Sequence, residues 1–150
     1  MRKSNDHFPI ISKALEDKGI SPELRRTIGV VALAMPEPKR LAHIGFLPKR
    51  YSKRDPLLGG FFKPGDPDST IAVNRKLSWH AREQTLIHEL AHCLDFGVAP
   101  GRCTGHDLGF GSCWSMVYRV YISEVFSIRC SGDGNVAWVD NEGRWYSAKA

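Results

Sequence analysis

Residues 88–92 of this 150-residue chain read His-Glu-Leu-Ala-His, and the apolar residues around them fix what the segment can be. Leu86, Ile87, Leu90, Ala91 and Leu94 recur with helical spacing. Ser78 can cap the start and Gly97 can end it, so the pattern predicts a helix over Trp79–Phe96. At about 100° per residue, His92 lies about 40° around from His88 and about 6 Å along the axis. Both imidazoles can therefore face one metal ion. Glu89, about 60° from His92 on the same wheel, stands beside that ion. It is placed to take a proton from a bound water and hand it to a leaving amine, which is the physical content of an H-E-x-x-H motif. A surface helix with two incidental histidines is the alternative, but the flanking apolar residues imply burial. Two unpartnered buried imidazoles beside a carboxylate would be costly.

A catalytic zinc needs three protein ligands and one open position. The helix supplies two, and His106 follows His92 by 14 residues, behind a loop from Gly97 to Gly105 that holds three glycines. His106 is the expected third ligand. Glu124, within the apolar run Tyr121–Phe126, is the competing choice, and Asp95, Asp107 or no third protein ligand are further ones. Asp95 is also nearly in line with His88 on the wheel, where it could orient a ligand or simply face solvent. Tyr118 and Tyr121 could donate to an oxyanion, but their helical spacing with Trp114, Val117 and Val125 favours a core role.

The net charge of +5 is unevenly distributed. Residues 39–76 carry nine Lys and Arg against three acids, whereas residues 77–150 carry six against eight. The excess points to an anionic partner, DNA being the candidate, through Lys39, Arg40, Lys49, Arg50, Lys53, Arg54, Arg75 and Lys76. Phe46, Tyr51, Phe61 and Phe62 are interleaved as possible stacking groups. A solvated basic sheet edge is the plainer reading.

Cys93, Cys103, Cys113 and Cys130 form no Cys-x-x-Cys pair, and the amino terminus lacks the apolar core of a secretory signal, so reduced thiols and a cytoplasmic location are expected. Cys103, His106 and Cys113 allow a structural metal site as a minor alternative. The longest apolar run, Ile28–Met35, is eight residues. About 18 are needed to cross a bilayer, so no membrane association is expected.

The length fits one α+β domain: a helical extension over 1–38, a core over 39–128 and a β-hairpin over 129–150. Helices are expected at Pro9–Lys18 and from Pro22, capped by Ser21, to about Met35. Strands are expected at Leu41–Leu47, Leu58–Lys63 and Thr70–Arg75, forming a small antiparallel or mixed sheet, with antiparallel the simpler. A further helix is expected over Asp107–Ile128. The tail reads as a hairpin, Val136–Val139 with Arg144–Ser147.

The residues Thr85–His92, with Ile71-Ala72-Val73-Asn74 before them and Gly105-His106 and Phe110 after, resemble the SprT-like zinc metallopeptidases, which include the Spartan proteases. The likeness spans about Leu58–Tyr121. It implies a minimal zincin-like core, Zn2+ on His88, His92 and His106, and Glu89 as catalytic base. It also implies a protein or peptide substrate, specifically proteins engaged with DNA. The chain departs from the family pattern at Asp107, where glycine is usual, and in having only Cys130 where many members carry a four-cysteine ribbon. Two other readings stand beside it. One is a DNA-binding or protein-binding module with a structural zinc and no proteolysis. The other is a glutamate-type, lethal-factor-like zincin in which Glu124 is the third ligand.

Overall fold

The computed structural model describes residues 8–36, 39–55, 57–65, 68–98, 105–130, 135–139 and 145–149, with side chains at 52, 98 and beyond 125 left undescribed. In chain order the elements are β1 (Ile10–Ile11), α1 (Lys13–Lys18), α2 (Pro22–Ala34), β2 (Arg40–Phe46), α3 (Lys49–Arg54), β3 (Gly60–Lys63), β4 (Asp68–Val73), α4 (Trp79–Val98), α5 (Leu108–Cys130), β5 (Asn135–Val139) and β6 (Trp145–Lys149). The fold is α+β.

The amino-terminal helix is shorter than the sequence predicts. Ile10 and Ile11 pair in parallel with His43 and Ile44 of β2 instead of joining the helix. Pro9 offers no N–H, the two isoleucines are β-branched, and Ser12 captures the Leu15 N–H at 3.4 Å, which starts α1 at Lys13. In α2 the expected signals operate: Ser21 accepts from the Leu24 N–H at 3.1 Å and Pro22 occupies the first turn.

The sheet has the order β1-β2-β4-β3, and it is mixed. β2 runs parallel to both β1 and β4, and only β3 is antiparallel to β4. The reason is the path between β2 and β4. After β2 the chain turns into α3, a short helix that the sequence reading missed because Lys49-Arg50-Tyr51-Ser52-Lys53-Arg54 looks like a charged loop. It then crosses to the far edge as β3 and folds back, so β4 inserts beside β2 in the same direction. Asn74 ends β4: its N–H donates to the Gly59 carbonyl at 2.6 Å, and its side-chain amide donates to Leu58 O at 2.9 Å.

α4 packs on β3 and β4 on one side and on α2 and α5 on the other. Leu86, Ile87 and Leu90 of α4, Ile44 and Ile71 of the sheet, and Leu24 and Ile28 of α2 are fully buried together. Each such side chain contributes roughly 1.5–3 kcal/mol of transfer free energy. Gly97 does not end α4, which continues to Val98. A methyl group at Gly97 would meet Met35 Sδ at 2.6 Å, so the glycine serves close packing against the end of α2. At the start of α4, Glu83 is buried and accepts the Ser21 hydroxyl at 2.5 Å and the Ser21 N–H at 3.3 Å. A capping box is thus completed from a different helix. α5 begins one residue later than expected, with Asp107 accepting the Phe110 N–H at 2.9 Å. β5 and β6 pair antiparallel, Val139 with Trp145, and the residues joining them lie outside the described set.

Candidate metal centre

His88 and His92 lie in the middle of α4, where the apolar flanks fix the rotation of the helix. His106 stands two residues before α5. The structure brings the three together: His88 Nε2 lies 3.2 Å from His92 Nε2 and 3.0 Å from His106 Nε2. All three ligand atoms lie within 4.8 Å of one another, and the group contains no carboxylate. Two nitrogens bound tetrahedrally at a Zn–N distance of about 2.0–2.1 Å are about 3.3–3.4 Å apart. The two short separations therefore fit a shared ion. The same donor set could hold another first-row divalent metal.

Phe110, buried at the first turn of α5, packs against all three imidazoles, with ring centroids at 5.0 Å from His88, 4.3 Å from His92 and 4.8 Å from His106. It restrains the rings on one side and keeps that side dry. Burial lowers the pKa of His88, with the nearby His106 adding to the effect. Burial likewise lowers His92 to about 4, helped by His88 and His106. Both shifts favour the neutral imidazoles that a metal requires.

Glu89 is buried beside His88, and burial raises its carboxyl to about 7, opposed by a hydrogen bond from the Phe62 backbone N–H. Phe62 sits on β3, the edge strand. The register, with Gly59 O bonded to Asn74 N and Phe61 opposite Ala72, turns the Phe62 N–H away from β4. Sequence reasoning missed this donor, because nothing in a residue's identity reports which way a backbone amide points. A methyl group at Gly60 would lie 2.7 Å from the Ala72 carbonyl oxygen and 2.9 Å from Thr85 Cγ2. Only glycine lets β3 lie this close to α4.

Glu124 is elsewhere. It pairs with Arg26 of α2 at 3.5 Å, about 21 Å along α5 from Phe110. Asp95 is buried, so the solvent-facing alternative is incorrect, and its charge is one cause, after burial, of a raised Cys113 thiol pKa. Tyr118 stacks on Trp114 at 5.0 Å, and Tyr118 and Tyr121 both pack against the core. Cys93 and Cys113 are buried thiols outside any disulfide, Cys93 Sγ lying 3.8 Å from Met35 Sδ, and Cys103 lies outside the described residues.

The basic residues divide into two places. Lys39 and Arg40 stand at the start of β2, where Lys39 lies over the Phe96 ring at 4.6 Å and Arg40 pairs with Asp68 at 2.6 Å. Lys49, Arg50, Lys53, Arg54, Arg75 and Lys76 gather at the opposite end of the sheet. The aromatic residues interleaved with them are engaged within the chain. Arg75 lies over Phe46 at 5.0 Å, Tyr51 meets Phe61 at 5.7 Å and Arg50 at 4.9 Å, and Phe62 meets Phe96 at 5.8 Å.

No family model, curated protein or solved structure matches the chain. No helix among the described residues is long and apolar enough to cross a membrane.

Proposed function

We propose that this chain is a zinc-dependent metallopeptidase with a minimal zincin-like core. The observation that carries the reading is the convergence of His88, His92 and His106 with the buried carboxyl of Glu89 next in sequence. His88, His92 and His106 would hold the ion. When bound, it supplies a Lewis acid for the scissile carbonyl and makes water a nucleophile near neutral pH. Glu89 accepts the proton that water gives up and returns it to the amine nitrogen as the peptide bond breaks. Burial favours the protonated carboxyl, which places Glu89 to hold the proton between the two transfers. Among the described residues β3 is an edge strand, and the outward-facing backbone of Gly60 and the Phe62 carbonyl can take main-chain hydrogen bonds from an extended polypeptide next to Glu89.

The SprT-like resemblance leads to the same residues and the same reaction. The distance of Glu124 from the histidines disfavours the glutamate-type alternative. The test is zinc content by mass spectrometry together with cleavage of a quenched-fluorescent peptide mixture. Wild type should hold one zinc per chain and cleave. Glu89→Gln should hold the same zinc and lose at least about 100-fold in rate. Full activity in that variant would reject the mechanism, and zinc without cleavage in wild type would favour a structural metal.

A further inference from the structure

The basic end of the sheet adjoins the site. α3 leaves the carboxyl end of β2 and crosses the carboxyl end of β4 to reach β3, and Arg75 and Lys76 follow β4 at that same end. Arg50, Lys53, Arg54, Arg75 and Lys76 are exposed, and none of them forms an ion pair among the described residues. Asp55, the acid closest to them in sequence, accepts the Leu57 N–H at 3.1 Å, and its single charge leaves the group of five cations strongly positive. The helix is held against the edge strand by the edge-on contact of Tyr51 with Phe61. The next residue of that strand, Phe62, donates to Glu89. Along β3, at about 3.4 Å per residue, Gly60 is about 7 Å from Phe62, and the cations begin just beyond it.

A single-stranded nucleic acid would use the aromatic rings of this region as stacking platforms, but Phe46, Tyr51 and Phe61 are each engaged by a neighbour in the chain. What remains is a compact positive field in line with an open strand edge, and α3 itself is only about 9 Å long. That matches a short anionic stretch of polypeptide lying on the edge. Resting on the metallopeptidase reading, we propose that this surface selects protein substrates with an acidic stretch about two to four residues to one side of the scissile bond. Lys53, Arg54 and Arg75 are the specificity-determining residues.

The test uses the zinc-loaded full chain and quenched-fluorescent peptides with a randomised centre, identical except for four Glu or four Gln on one side or the other. On one side only, the Glu peptide should exceed its Gln counterpart about tenfold or more in kcat/KM at low salt. The ratio should shrink at about 0.5 M NaCl, as screening requires. In Lys53→Glu/Arg54→Glu/Arg75→Glu it should fall to about one or below. Equal rates for Glu and Gln peptides on both sides, with cleavage abolished by Glu89→Gln, would overturn this inference and leave the metallopeptidase reading standing. No cleavage of any peptide would overturn that reading instead. Fluorescence anisotropy of the same peptides on Glu89→Gln protein then decides the docking surface: tighter binding of Glu peptides supports it and equal binding overturns it. Equal peptide binding together with tighter binding of a 20-base-pair duplex would assign the surface to nucleic acid.

Discussion

The backbone N–H of Phe62 donates to the carboxylate of Glu89, so the edge strand and the candidate catalytic helix are joined at the acid that follows His88. The bond places Glu89 between the sheet and the histidine group. It also sets the protonation of Glu89 against two opposing influences, burial and a single amide dipole.

Stability without metal should register that opposition. The Glu89 carboxyl titrates near 7 in the fold against an ordinary 4.5, so between those values the unfolded chain binds fewer protons. Stability from this group therefore falls as pH rises from about 4.5 to 7 and stays lowered above. In metal-free protein, Glu89→Gln should gain on the order of 2–3 kcal/mol over wild type at pH 8 and nearly nothing at pH 4. Urea unfolding at the two pH values measures it, and an equal difference at both would contradict the assignment.

Ligand identity is open to a direct comparison. His106→Ala should lose zinc on dialysis, whereas Glu124→Ala should retain it, since Glu124 faces Arg26. The opposite order would move the third ligand to α5.

Metal retention should extend to mildly acidic solution. Burial holds His92 down to about 4 and pushes His88 the same way, so protons do not compete for those two nitrogens until well below the ordinary value of 6.5. Zinc content after equilibrium dialysis should show half-release below pH 6. A midpoint at 6.5 or above would contradict the lowering at His88 and His92.

Ser21 is expected to matter more than an ordinary cap. Its hydroxyl accepts from Leu24 N–H while donating to Glu83, whose pKa is raised mainly by burial. Ser21→Ala removes the cap and a hydrogen bond to a buried carboxyl, a cost of roughly 2–3 kcal/mol against about 1 for a simple cap. Denaturant titration gives the value, and a loss below about 1 kcal/mol would mean Glu83 finds another donor.

Gly60→Ala should separate β3 from α4, because the added methyl meets backbone at Ala72 and a side chain at Thr85. Activity should fall at least about tenfold while zinc content holds, since the histidines are on α4 and before α5 and the strand carries only the Phe62 donor. Undiminished kcat/KM would show that β3 takes no part in positioning Glu89.

The histidine group was legible because helical periodicity alone places His88 and His92 on one face, and the glycine-rich loop allows His106 to return. Helix ends were legible where a polar side chain sits before an apolar run, as at Ser21 and Ser78. Strand direction was not, because apolar alternation in Leu41–Leu47 and Thr70–Arg75 is the same for parallel and antiparallel pairing, and the crossover was hidden in the cation-rich α3. Gly97 looked like a helix stop because its packing against Met35 is a long-range contact that local sequence does not encode. The basic residues looked like one patch because β2 places Lys39 and Lys49, ten positions apart in sequence, at opposite ends of the sheet.

An open strand edge invites self-association, since any extended chain can add to it, including another copy of the same protein. β3 limits that hazard by its ends: it opens at Gly60, closes at exposed Lys63, and Pro64 follows without an amide hydrogen to offer. Four residues suffice to seat one short segment but not to seed a growing sheet. The brevity of this strand thus guards the protein against polymerising through its own site.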